Sequence, residues 1–330
     1  MKQKGSRRKI SIVLRWVLWV LLAQFILVNI SAALYAYKLT HFYTDGVART
    51  PARNSNIFVK TWRLFTGPRF GKSVISDRPV ADYRTIRLET KSGLSISAWY
   101  IRTDSVARGT VILVHGITAN KSYLLPEASE FRFMGYNVLL PDLRAHGDSE
   151  GQTTTLGVKE TEECKAAYDF LVNQGEKNIF LYGSSLGAVV VAKAVAEHNL
   201  QPSGIMLDMP FGSLQTHLQA RARLLGFSGF PEKPFGFLVT AWISMERGFN
   251  GFKHRTADYA SQLKGPVLMQ WGAQDPVVLK KETDRIFNNI GSDQKKLVVY
   301  EEAGHESLLE KAPARWRAEI TAFLSVFHPG

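Results

Sequence analysis

The sequence predicts an α/β fold: a mostly parallel, doubly wound sheet with a short helical cap insertion, preceded by one N-terminal transmembrane helix. Three observations carry that expectation. No charged residue occurs from Trp16 to Tyr37. From residue 110 onward, short continuous apolar runs such as "TVILV" and "NIFLY" alternate with longer helical patterns, the rhythm of parallel strands covered on both faces. Residues 211–260 then interrupt that rhythm with helical patterns and no strand.

The chain has 330 residues, 45% of them hydrophobic, enough to bury a full core in one large domain or two small ones. Its formal net charge is +12. Part of the excess is gathered at the start, in Lys2, Lys4, Arg7, Arg8, Lys9 and Arg15. The remaining basic residues are scattered, with no arginine-rich tract or nucleic-acid module, so the balance is read as solvated surface and no nucleic-acid partner is expected. Cys164 is the single cysteine, which excludes an internal disulfide framework and any multi-cysteine metal site. Its helical surroundings, "TEECKAAYDFL", make it a packing residue.

In chain order, residues 1–9 form a basic tail and residues 10–37 the expected transmembrane anchor. The uncharged stretch of about 22 residues would extend roughly 33 Å as a helix, enough to cross a bilayer. Trp16, Trp19, Tyr35 and Tyr37 lie towards its ends, where aromatic rings favour the interface. Basic residues before the span keep the N-terminus cytoplasmic and the rest of the chain extracytoplasmic, periplasmic in a bacterium. A cleaved signal peptide, using Ser31 and Ala33 as a small-x-small site, and an interfacial or buried helix are the alternatives. Residues 38–82 read as a connector punctuated by Pro51, Pro68 and Pro79, in which "NIFVKTWRLFTG" is an amphipathic piece lying on the membrane or on the domain.

The catalytic domain is expected over residues 83–330. "YRTIRLETKSGLSISAWYIR" gives two alternating segments around a Lys-Ser-Gly turn, a hairpin signal. Buried strands follow in "TVILVHG", "YNVLLPD", "NIFLYG", "SGIMLD", "GPVLMQWG" and "KLVVYEE", with helices around 123–134, 157–173 and 185–198 between them. An insertion at about 211–260 would sit above the strand ends, where open α/β sheets bind ligands. It is read as a cap carrying Phe227, Phe230, Phe235, Phe237 and Trp242, aromatics that otherwise serve to pack it onto the sheet.

Chemistry concentrates at Gly183-Ser184-Ser185-Leu186-Gly187. In a G-x-S-x-G turn between a strand and a helix, the central residue, Ser185, is forced into a strained conformation that exposes its hydroxyl. Ser184 braces the turn. Stabilising an oxyanion takes two N–H donors. Leu186 follows the nucleophile, and Ile117 follows "VILVHG" at the end of an earlier strand. His115, beside Ile117, is read as structural. The acid is Asp275 in "MQWGAQDPVV", favoured over its rival Asp208 in "IMLDMP". Asp142 and Asp148 are expected to brace loops through Arg144. The base is His305 in "YEEAGHESLLE", with His146 as competitor. His41, His198, His217, His254 and His328 are read as surface or packing residues. The chain order Ser185, Asp275, His305 suits this strand–turn–helix architecture. No metal cluster, P-loop or dinucleotide fingerprint occurs in the sequence, so neither a cofactor nor a metal is expected.

"VHGITAN", "PDLRAHGDSEG", "GSSLG", "WGAQDPVV" and "AGHES" together resemble the landmark motifs of the α/β-hydrolase superfamily, from about Gly109 to the C-terminus. Within it the chain most resembles the membrane-anchored Bem46-like and ABHD-type serine hydrolases, and "LDMPFGSL" is similar to that group too, which weakens the case for Asp208 as the acid. The resemblance implies an α/β-hydrolase fold and a serine hydrolase that cleaves carboxylic esters through an acyl-enzyme. The apolar cap and the anchor favour a lipid-like or medium-chain acyl ester. Other readings are an acyl-protein thioesterase, a prolyl-oligopeptidase-type peptidase and a non-catalytic binding scaffold. A haloalkane dehalogenase is set aside because the nucleophile position carries serine.

Overall fold

The computed structural model describes residues 2–44, 56–224, 229 and 231–327. Pro51, Phe227, Phe230 and His328, and the side chains of the basic tail, lie outside the described residues.

The chain opens with helix α1 (Lys2–Thr40). Its stretch from Ile12 is long and apolar enough to cross a membrane, with a mean hydropathy of 2.2, by length and composition. Ile12, Trp16, Trp19 and Phe25 are exposed. The environment changes over its last turns. Ala32, Tyr35, Ala36 and Leu39 are buried, at the spacing that puts side chains on one helical face. They join Leu214, Leu218, Val239 and Ile243 in one apolar cluster. Polar contacts fix the same seam: Trp242 Nε1 donates to Asn29 Oδ1 at 3.2 Å and Arg247 Nε to Thr40 Oγ1 at 2.8 Å. The helix thus runs past residue 37, and its end belongs to the folded body.

Strand β1 (Phe42–Tyr43) pairs in parallel with β2 (Phe70–Gly71). Between them in sequence stands α2 (Ile57–Thr66), capped by Asn56 Oδ1, which accepts from the Val59 amide at 2.9 Å. This helix packs along α1, where Ser31 Oγ donates to the Phe65 carbonyl at 2.5 Å. Ile57, Phe58, Trp62 and Phe65 remain exposed.

The hairpin forms as expected, from β3 (Tyr83–Glu89) and β4 (Ser95–Ile101). It is followed by β5 (Thr110–Val114), β6 (Asn137–Pro141), β7 (Ile179–Ser184), β8 (Gly204–Asp208), β9 (Val267–Gly272) and β10 (Lys295–Tyr300). Among the described residues these eight strands form one sheet, in the order β10-β9-β8-β7-β5-β6-β4-β3. It is parallel throughout except for β4, which runs antiparallel to both neighbours. β5, β8 and β9 are buried along their whole length. Their continuous apolar sequences reflect burial on both faces.

Helices α3 (Leu125–Phe133), α4 (Thr161–Asn173) and α5 (Leu186–His198) connect successive strands. The cap consists of α6 (Leu214–Leu224) and α7 (Glu232–Arg247), and α8 (Thr256–Ala260) leads back to the sheet. After β9 come α9 (Lys280–Asn289) and, past β10, α10 (Leu308–Lys311) and α11 (Pro313–Ser325). α4, α5, α8 and α9 pack in a row, while α3 meets α11 where the Phe131 and Trp316 rings lie 5.7 Å apart, edge to face. Cys164 is buried in α4, and burial pushes its thiol up to about 12, the setting of a packing residue.

The cap aromatics differ from the expectation that they face the sheet. Phe235 meets Tyr35 of α1 edge to face at 5.0 Å, Trp242 reaches Asn29, and Phe237 is exposed beside Phe252. The reason is that α1 fills the side of α7 that the sheet would otherwise cover.

Candidate active site

β7 passes into α5 through a single residue. Ser185 has φ 53° and ψ −113°, a conformation that costs a residue with a Cβ about 1–3 kcal/mol. The surroundings hold it there. Its amide donates to the Asp208 carbonyl at 2.7 Å. A Cβ on Gly183 would collide with the backbone of Gly187, and one on Gly187 with the Val114 carbonyl. The two glycines are therefore required by close approach. Ser184 is the last residue of β7, in register with Asp208.

Ser185 Oγ lies 2.8 Å from His305 Nε2. His305 Nδ1 donates to Asp275 Oδ2 at 2.6 Å. A carboxylate only accepts, so Nδ1 carries the ring proton and Nε2 presents a lone pair to the serine hydroxyl. The other Asp275 oxygen accepts from the amides of Val277, at 2.6 Å, and Val278, at 2.9 Å, which pins the carboxylate. Its side chain is fully buried, and that of His305 is partly exposed. The sequence-predicted Ser185, Asp275 and His305 thus meet, from the ends of β7, β9 and β10. Such a line can withdraw a proton from the hydroxyl as it attacks a carbonyl and hold the charge that forms on the ring.

The predicted oxyanion donors follow directly on residues of this turn and of the loop against it. Leu186 opens α5, where a first-turn amide has no intrahelical acceptor. Gly116 lies against Ser185, since a Cβ there would be 3.5 Å from that of the serine, and Ile117 follows it. Among the described residues neither the Ile117 nor the Leu186 amide donates to a protein acceptor. The 116–118 turn is braced from below. The Thr118 amide donates to His146 Nε2 at 3.2 Å while His146 Nδ1 donates to the Arg144 carbonyl at 2.7 Å. His115 is committed likewise, accepting from the Leu143 amide at 3.0 Å and donating to the Gly116 carbonyl at 2.8 Å. Both rings are neutral, with burial as the chief cause, and His146 is driven down to about 3. The competitor base therefore serves the turn.

Asp208 lies beneath the elbow. Its Oδ2 accepts from the Tyr182 hydroxyl at 2.7 Å and its Oδ1 from Gln270 Nε2 at 2.8 Å; burial lifts it to about 6. One expectation is corrected. Asp142 and Asp148 pair with Lys121, not Arg144, because the Lys121 ammonium is buried between them. Arg144 turns instead to Glu162 and Glu163 of α4. His254 is a packing residue held by Tyr259 and the Leu156 carbonyl.

Other residues near the site escaped the sequence reading. Glu127 of α3 accepts from Ser307 Oγ, two residues beyond His305. Arg221 of α6 donates to His217, a residue read from the sequence as surface or packing and found buried within electrostatic reach of His305. Their spacing of four on one helix was the available signal. A groove of about 1290 Å³ beside Arg84, Arg102 and Arg132 is lined by none of Ser185, Asp275 and His305.

A family model described as the alpha/beta hydrolase family matches residues 111–319. The chain is similar to the uncharacterized protein YfhR of Salmonella typhi, with 31% identity over 66% of this chain and 73% of that one. It is similar also to the lysophosphatidylserine lipase ABHD12 of Xenopus tropicalis, with 23% identity over 58% of this chain and 49% of that one. Among solved structures, the esterase Pf2001 of Pyrococcus furiosus superposes with a TM-score of 0.64 at 24% identity, over 77% of this chain and 96% of that one, a likeness of fold.

Proposed function

The chain belongs to the alpha/beta hydrolase family, and from that premise we propose that it is a membrane-anchored serine hydrolase that cleaves carboxylic esters through an acyl-enzyme on Ser185. The observation that carries the proposal is the unbroken line from Ser185 Oγ through His305 to Asp275, at 2.8 and 2.6 Å, starting from a serine at positive φ.

In the proposed reaction His305 Nε2 takes the hydroxyl proton as Ser185 Oγ attacks the ester carbonyl. The Ile117 and Leu186 amides receive the oxyanion; losing one such donor typically costs about 10²–10³ in rate. His305 then protonates the departing alkoxide, and water, activated by the same nitrogen, releases the acid. Asp275 keeps the ring in the Nδ1–H tautomer and offsets its charge.

Anchoring by α1, with the N-terminus cytoplasmic and the hydrolase body extracytoplasmic, is part of the same reading. It is supported by the apolar stretch from Ile12 and the basic residues before it. A lipid-like acyl ester is favoured because the apolar cluster joining α1 to the cap also touches Ile117. The esterase and lipase among the similar proteins fit ester hydrolysis.

A fluorophosphonate probe tests the nucleophile. The wild type and Ser184→Ala should be labelled and Ser185→Ala should not. Labelling of Ser185→Ala at the wild-type rate would remove the assignment.

A further inference from the structure

Several cations around the site are matched by carboxylates. Lys121 has Asp142 and Asp148, Arg144 has Glu162 and Glu163, and Arg223 has Glu232. Arg221 differs. Among the described residues it has no carboxylate partner: its Nε donates to His217 Nε2 at 3.4 Å, and its guanidinium lies 5.5 Å from the centre of the Phe70 ring. Burial lowers its affinity for the proton, yet a guanidinium stays charged at any working pH. Nor does His217 supply a countercharge, since burial holds it neutral, far below the ordinary imidazole range.

Two chains of contact locate this charge. On one side Arg221 donates to His217, which is within electrostatic reach of His305. On the other, Phe70 packs on Phe42 at 5.8 Å, and Phe42 on His146 at 4.7 Å, the ring that holds the Thr118 amide. Arg221, on cap helix α6, is thus linked through His217 towards the base and through Phe70 and Phe42 towards the ring beneath the oxyanion turn. A half-buried cation there, enclosed by rings and lacking an acid, is disfavoured unless an anion arrives to match it.

Resting on the ester-hydrolase reading of Ser185, we propose that Arg221 is an anion subsite, and that the substrate is an ester carrying a phosphate or carboxylate group away from the scissile carbonyl. A guanidinium binds either group through paired N–H donors. The anion could belong to a small soluble ester or to a lipid headgroup; the chemistry at Arg221 is shared.

The full chain in detergent is tested with two matched pairs. Mono-p-nitrophenyl glutarate against p-nitrophenyl pentanoate represents soluble esters, and monoacylglycerol phosphate against monoacylglycerol represents lipids. The wild type should favour the charged member of at least one pair by about 10- to 100-fold in kcat/KM, and which pair identifies the source of the anion. Arg221→Met should abolish that ratio, each variant being normalised to its own rate on the neutral ester. Arg221→Lys should keep part of it, and Arg221→Glu should turn the preference towards a choline ester. A charged-to-neutral ratio that is the same in wild type and Arg221→Met, or a wild type that favours the neutral esters, would overturn the subsite. Hydrolysis of the neutral esters, lost in Ser185→Ala, reports separately on the ester-hydrolase reading. If neither pair is cleaved in a Ser185-dependent way, that reading fails and the subsite with it.

Discussion

Ser307 Oγ donates to Glu127 Oε1 at 2.7 Å and so ties helix α3 to the loop that carries His305. The other Glu127 oxygen is buried without a partner among the described residues, and burial lifts the carboxyl to about 7. The native state thus holds a proton that the unfolded chain, with an ordinary value of 4.5, releases earlier. Stability from this residue falls as pH rises from about 4.5 to about 7, by on the order of 3 kcal/mol. Glu127→Gln keeps an acceptor for Ser307 and removes the titration. It should unfold at higher temperature than the wild type at pH 8 and at nearly the same temperature at pH 4.5. Parallel melting-versus-pH curves for the two proteins would contradict this.

His146 carries the opposite slope. Its folded value, about 3, lies below the ordinary 6.5, so the unfolded chain takes up the proton first and stability is lost as pH falls between those values. His146→Leu should flatten the acid limb of the stability curve. At neutral pH it should cost about 1 kcal/mol, because the Thr118 amide loses its bond to the His146 ring. A turn set loose under the oxyanion donors should lower kcat more than it raises KM. Equal changes in both would assign His146 to binding instead.

Asp275 and Asp208 should separate by kinetics. Asp275→Asn leaves the shape but reverses the preferred His305 tautomer, and kcat should fall by roughly 10³–10⁴. Asp208→Asn should act chiefly on melting temperature, because its carboxylate bonds Tyr182 and Gln270, and leave most of kcat. Were Asp208→Asn the more damaging to kcat at matched folding, the roles would be exchanged.

Truncation measures how far α1 belongs to the body. A chain starting at Ile30 keeps Ala32, Tyr35, Ala36 and Leu39; one starting at Asp45 loses all four from the cap cluster. At about 1.5–3 kcal/mol per large buried side chain, the shorter chain should melt on the order of 10 °C lower and bind hydrophobic dyes. Equal melting temperatures would mean that the cap closes without the helix.

Much of this molecule was legible before the structure. The buried strands announce themselves because a parallel sheet demands unbroken apolar runs, and Gly183 and Gly187 identify Ser185 because no larger residue fits the elbow. Asp275 and His305 were legible by their positions after β9 and β10. What escaped the sequence depends on packing between distant elements. Nothing local in "SAALYAYKLT" distinguishes a helix leaving a membrane from one docked on a cap, since both are apolar. Lys121 lies far in sequence from Asp142 and Asp148, so its burial between them required the fold, whereas Arg144 was the nearer and wrong guess. The α9 and α11 helices were missed because their exposed faces dilute the apolar signal. Arg221 stands out only once the fold sets it against a neutral histidine and a phenyl ring with no carboxylate among the described residues.

The seam between α1 and the cap has one mechanical result. A helix whose last turns pack against α6 and α7 is a shaft and not a tether: on the membrane-anchored reading, no loose joint separates the span from the body. On that reading the mouth of the site would keep one height and one bearing relative to the membrane. An ester dissolved in that membrane would then be met by a lateral search in two dimensions. By the same reasoning, cutting the chain between Ser31 and Tyr35 would free the body and also sever the shaft within its bearing.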